Sequence, residues 1–118
     1  MKTQIYLAGP YLNDDELDYY NKALILLRNK NLNIYSSKEN QVSKNNTSNE
    51  EWARETFIQE ANAIVDSKAV VMLYFGDYSD SGIAWECGYA FAIGIPVIVV
   101  HLCDESKSNC MVNCGAHS

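Results

Sequence analysis

Two carboxylates, Asp80 and Glu86, stand six residues apart in the run Asp80-Ser81-Gly82-Ile83-Ala84-Trp85-Glu86-Cys87-Gly88-Tyr89-Ala90. On a single helix, at about 100° per residue, they would point to different sides. With Asp80 on the preceding loop and Glu86 one turn into the helix, both can face one pocket. Two acids in one pocket suit chemistry that needs one group ionised and the other protonated, because neighbouring like charges drive their pKa values apart. A bland alternative for Glu86 is a solvent-facing helix position. Its neighbours Ile83, Ala84, Trp85, Tyr89, Ala90, Phe91 and Ile93 argue against that, since they make the helix apolar nearly all round. An acid inside such a helix has little solvent to face and is expected in a cleft, and buried acids are rarely bystanders. Among the other acids weighed, Glu60 remains a candidate, whereas Asp66 and Asp77 fit ordinary loop and helix-end roles.

The elements around this run place it at the end of a buried strand. Residues 69–75 (AVVMLYF) form a continuous apolar run, as expected of a parallel strand covered on both faces. Gly76-Asp77-Tyr78-Ser79 is turn chemistry, and Ser81-Gly82 can cap a helix start. Upstream, residues 3–8 read as a first strand ended by Gly9-Pro10. From Asn13, Leu17, Tyr20, Leu24 and Leu27 recur at helical spacing, with Asp14, Asp15 and Glu16 in the first turn, where acids suit the macrodipole.

Residues 32–35 form a short second strand, and the polar stretch 36–49 reads either as a disordered linker or, better suited to a compact domain of this length, as a mobile flap over a site. A second helix is expected over 50–66 with Trp52, Phe57, Ala61 and Ile64 on its apolar side, and a fourth strand over 96–102. This order implies an α/β, doubly wound parallel sheet of the flavodoxin or Rossmann-like kind, with helices on both faces and strand order 2-1-3-4. The switch point then lies between strands one and three, where a ligand meets the 6–11 and 76–86 loops together.

Composition narrows the partners. The chain has 118 residues, an apolar fraction of 47% and a formal net charge of −6, so it is expected to be one globular domain spanning 1–118. The acidic balance leaves no electrostatic footprint for nucleic acid and disfavours anionic membranes. The start has too short an apolar run for a signal peptide and no segment reaches transmembrane length, so a cytoplasmic protein is expected. Cys103, Cys110, Cys114 and His117 cluster near the end, but their spacings match no common zinc pattern and no metal is expected. Cys87 reads as a small buried apolar side chain. Gly9-Pro10 lets backbone approach a ligand, yet it is not a dinucleotide fingerprint, and no Walker motif is present. No cofactor is expected.

With these residues in view, the chain resembles the nucleoside 2-deoxyribosyltransferase family. The likeness rests on Ile5-Tyr6-Leu7-Ala8-Gly9-Pro10, on the helix-plus-strand block 59–74, on Asp80-Ser81-Gly82 leading to Trp85-Glu86-Cys87-Gly88-Tyr89-Ala90, and on Asn109-Cys110-Met111. The resemblance implies that Glu86 is the nucleophile attacking the anomeric carbon of a 2'-deoxyribonucleoside. Tyr6 would hold and activate its carboxylate, and Asp80 would protonate or bind the departing base. Gly9, Pro10, Glu60 and Gly82 would line the substrate site, Glu60 standing where the family often has aspartate.

The resemblance also implies that Asn109 and Met111 close the sugar pocket of a neighbouring subunit, in a homo-oligomer such as a dimer or hexamer. The sequence runs to Ser118, short of the final strand and helix usual in such proteins. Either another subunit completes the sheet, or the fold is trimmed to four main strands.

The reading that follows is an enzyme moving 2'-deoxyribose between nucleobases, with a deoxyribonucleoside and a free base as its small-molecule substrates. A hydrolase for deoxynucleosides or their nucleotides is the alternative of the same chemistry. A non-catalytic nucleotide-sensing module is the alternative of another class; it would tolerate loss of the acid pair, yet both acids and Tyr6 are present.

Overall fold

A computed structural model describes residues 2–43, 48–75 and 81–102, with Ser81 as backbone only. The elements run β1 (Gln4–Ala8), α1 (Asp14–Asn29), β2 (Asn33–Ser36), α2 (Asn49–Val65), β3 (Ser67–Tyr74), α3 (Ser81–Ala92) and β4 (Val97–His101). The four strands form one sheet in the order β2-β1-β3-β4, and every adjacent pair is parallel. The expected architecture and strand order are those observed. Boundaries differ from the expected ones by one or two residues.

Two side-chain caps set where the first two helices begin. The Asn13 side chain accepts from the Glu16 backbone N–H, and the Ser48 side chain accepts from the Glu51 N–H. Each satisfies an amide that the first turn would otherwise leave unpaired. Helix α3 is stopped by Gly94 at φ 82°, where the chain reverses through the Ile95 N–H to the Ala90 carbonyl at 2.8 Å.

Strand pleating divides the core in two. Ile5 and Leu7 of β1, Ile34 of β2, and Val71 and Leu73 of β3 pack with Tyr20 and Leu24 of α1 on one face. Tyr6 and Ala8, Val70, Met72 and Tyr74, and Val97 and Val99 pack on the other, against Ala63 and Ile64 of α2 and Ile83, Cys87 and Ala90 of α3. Each fully buried Val, Leu or Met side chain contributes about 1.5–3 kcal/mol relative to exposure. Helices therefore cover both faces, which is why residues 69–75 read as a continuous apolar run.

One expected core position is corrected. Phe57 lies 53% exposed on α2, because only the C-terminal turn of that helix, at Ala63 and Ile64, is fully buried. The Phe57 ring instead meets Trp85 of α3, with centroids 5.1 Å apart. The stretch after β2 is anchored rather than loose over its described part. Arg28 grips both Glu39 carboxylate oxygens at 2.7 and 2.6 Å, and Trp52 Nε1 donates to the Val42 carbonyl at 2.9 Å.

Candidate active site

The C-terminal ends of β1 and β2 and the start of α3 frame an open cleft of about 170 Å³. Gly9, Pro10, Tyr11 and Leu12 line it from the β1 exit, Ser37 from the β2 exit, Glu60 from α2, and Gly82, Ile83 and Glu86 from α3. It lies at the topological switch point, where β1 neighbours both β2 and β3 and the connections leave in opposite directions.

Glu86 owes its position to helical periodicity. Ile83, Glu86, Cys87 and Ala90 recur at three- and four-residue steps and form the buried stripe of α3, while Trp85 and Phe91 face outward. The acid thus occupies a core-facing position near the helix start and is only 7% exposed.

A buried carboxylate needs donors, and β1 supplies one. The Tyr6 side chain, fully buried, donates its hydroxyl to Glu86 Oε2. The Tyr6 phenol is pushed far above its ordinary range, first by burial and then by the charge and hydrogen bond of Glu86, with Glu60 adding a smaller push. Its proton therefore stays in place at neutral pH. Tyr6 acts as a donor and not as a base, matched to a carboxylate that only accepts.

Cys87, next to the acid, is pushed up to about 12 by burial and by the Glu86 charge. It stays a thiol and does not compete as a nucleophile at neutral pH, since the thiolate is the reactive form.

Gly9 has a packing reason for lacking a side chain. A Cβ there would stand 3.0 Å from Leu73 Cδ1 and 3.2 Å from Leu73 Cβ, so the β1 exit lies tight against β3.

The structure thus brings Tyr6, Gly9, Pro10, Glu60, Gly82 and Glu86 to one cleft or its floor. Asp80, Asn109 and Met111 lie outside the described residues, as do Cys103, Cys110, Cys114 and His117. Among the described residues no cluster of His, Cys, Asp and Glu could hold a metal, and no helix is long and apolar enough to cross a membrane.

Leu12, just beyond the expected 6–11 loop, is a lining residue that the sequence did not mark, whereas Ser37 belongs to the stretch 36–49 expected over a site. Strand order accounts for Ser37, because the β2 exit must sit beside the β1 exit when those strands are neighbours.

A family profile for nucleoside 2-deoxyribosyltransferase matches residues 5–114, nearly the whole chain. No curated protein sequence is significantly similar to it. Among solved structures, the 2-deoxyribosyltransferase of the psychrotolerant bacterium Bacillus psychrosaccharolyticus superposes with a TM-score of 0.89 at 29% identity, over 98% of this chain and 83% of that one. That enzyme is described as a biocatalyst for the synthesis of antiviral and antitumoral nucleosides. A conserved protein of Enterococcus faecalis V583 superposes with a TM-score of 0.74 at 26% identity, over 96% of this chain and 71% of that one. A profile match from the β1 residues beside the cleft to well beyond β4 leaves one conclusion about kinship: this chain belongs to the nucleoside 2-deoxyribosyltransferase family.

Proposed function

We propose that this protein transfers 2'-deoxyribose between nucleobases through a covalent glycosyl-enzyme on Glu86. The observation that carries the reading is the buried Glu86 carboxylate at the cleft floor with the Tyr6 hydroxyl donating to it. One Glu86 oxygen forms a bond to the anomeric carbon as the bond from that carbon to the base nitrogen breaks. The base leaves with the electron pair of that bond and takes up a proton. A ring nitrogen of the acceptor base then attacks the same carbon, the carbon–oxygen bond to Glu86 breaks with its electron pair returning to the carboxylate, and the acceptor gives up its N–H proton to the group that protonated the first base. Two inversions give net retention.

Burial strips water from the carboxylate and makes it a better nucleophile, while the Tyr6 hydrogen bond fixes its direction. In the second step the same donor stabilises the departing carboxylate. In this reading Asp80 supplies or holds the proton of the leaving base, and Glu60, on the cleft wall, contacts it. Gly9, Pro10 and Gly82 shape the walls by backbone. Asn109 and Met111 of a neighbouring copy close the sugar pocket of a homo-oligomer, acting in the cytoplasm. A nucleoside suits the cleft better than its 5'-phosphate, because among the described lining residues none is cationic and two are acids.

Incubation with deoxyinosine, with and without adenine, tests this. Deoxyadenosine formed only when adenine is present supports transfer. Free hypoxanthine at the same rate with or without adenine identifies a hydrolase, and no turnover of any deoxynucleoside identifies a binding module.

A further inference from the structure

Tyr6 is held in place by more than its hydrogen bond. A single bond at the phenol oxygen fixes one atom; the plane of the ring needs a second restraint. Tyr6 and Tyr35 are direct partners in the parallel β1–β2 register. Adjacent strands lie about 4.8 Å apart, so their side chains rise side by side on one sheet face. The rings stack with centroids 5.4 Å apart and planes within 14°.

Tyr35 is itself tethered. Its hydroxyl accepts from Gln59 Nε2 of α2 at 3.1 Å, and the same amide nitrogen donates to the Asn40 carbonyl. Asn40 Nδ2 in turn donates to the Ser36 carbonyl at 2.8 Å, closing the tether onto the β2 exit. Tyr35 is not among the residues that line the cleft, and it meets Tyr6 face to face.

We propose that Tyr35, anchored by Gln59, is a positioning residue that holds the Tyr6 ring in the plane from which its hydroxyl meets Glu86. The proposal rests on the reading of Glu86 as the nucleophile. A ring that can rock away from this plane spends less time with its hydroxyl on the carboxylate. Small misplacements of this kind lower turnover without weakening substrate binding.

The test is a double-mutant cycle on the full chain, with kcat and KM measured for deoxyribosyl transfer. Tyr35→Leu should lower kcat by about tenfold, given the steep dependence of rate on alignment, with KM little changed. Tyr35→Phe keeps the stacked ring but loses the hydroxyl that Gln59 holds, so it should lower kcat less than Tyr35→Leu does, and to the same extent as Gln59→Leu. In a Tyr6→Phe background, Tyr35→Leu should cause no further loss, because the hydroxyl it positions is gone.

Gln59→Leu provides a second route, removing the tether while leaving both rings. It should lower kcat less than Tyr35→Leu does, and again only when Tyr6 is present. Equal fractional losses with and without the Tyr6 hydroxyl would overturn the proposal, as would a wild-type kcat in Tyr35→Leu. Transfer surviving in Glu86→Ala would overturn the nucleophile reading itself. An inactive Glu86→Ala with additive losses at Tyr35 and Tyr6 overturns only the positioning role.

Discussion

The two faces of the sheet each bury a tyrosine completely, and the two hydroxyls have opposite surroundings. On the α1 face, Tyr20 shares a hydrogen bond with Ser36 Oγ at 2.6 Å. Burial pushes its phenol up, while hydrogen bonds from the turn after β2 partly offset that push. It is a neutral pair of the kind that closes a core. On the α2–α3 face, every influence on Tyr6 pushes the same way, and its partner is a carboxylate at the floor of a cleft. Residue type and burial are the same at both sites, so neither marks function. What distinguishes the sites is an acid placed on the apolar stripe of a helix and left within reach of a ligand.

The largest test of that contrast is Glu86→Gln. It keeps the shape and an acceptor for Tyr6 but removes the nucleophile. Transfer should fall by on the order of 10⁴-fold or more, as losses of covalent nucleophiles do, with an unchanged thermal midpoint. Near wild-type turnover would make the acid-bearing face as structural as the other.

Next comes Tyr6→Phe, which deletes one hydrogen bond to a charged acceptor, worth about 1.5–3 kcal/mol. The expected loss in kcat is about ten- to a hundredfold, since 1.36 kcal/mol of barrier is a factor of ten. Steady-state kinetics with deoxyinosine and adenine measures it, and an unaffected rate would remove Tyr6 from the mechanism.

Tyr20→Phe should do the reverse. It deletes the buried bond between Tyr20 and Ser36, leaving Ser36 Oγ the Glu39 N–H, and should cost about 0.5–1.5 kcal/mol of stability in denaturant unfolding, with kcat per folded molecule preserved. A kcat loss as large as that of Tyr6→Phe would erase the distinction between the faces.

The smallest effect is on alkaline stability, where the two faces should behave alike. Both phenols have pKa values raised by folding, so their contribution is fully present below the unfolded tyrosine value of about 10. Above it the unfolded chain gives up protons that the native state keeps, and stability falls. Cys87, pushed up to about 12, begins the same loss from the ordinary thiol value. Each group contributes at most about 1.4 kcal/mol per pH unit. Denaturation midpoints in the two Tyr→Phe variants should show a shallower alkaline slope than wild type. An unchanged slope in either would mean that its phenol ionises as readily folded as unfolded.

Much of this contrast could be read before any coordinates. The apolar run at 69–75 and the alternation of strands and helices carried the sheet and its order, because a parallel strand buried on both faces leaves a continuous apolar signature. The place of Glu86 was legible from its apolar neighbours, and Tyr6 from the family likeness.

Phe57 was misread because a helix packed by only one end breaks the rule that an apolar side chain marks the inner face. Tyr35 and Gln59 were invisible for another reason. Their part depends on the β1–β2 register and on the distance from α2 to β2, and neither is written in local periodicity. Ser37, within the stretch expected over a site, joins the cleft through the same pairing.

The central claim is that the sugar becomes bonded to Glu86. Acid quenching of the protein during turnover of deoxyinosine without an acceptor base, followed by proteolysis and mass spectrometry, tests it most directly. The account predicts one deoxyribosyl unit on the peptide carrying Glu86, lost when adenine is added before the quench and absent in Glu86→Gln. A deoxyribosyl unit found on any other residue, under conditions where the protein is turning over, would contradict it.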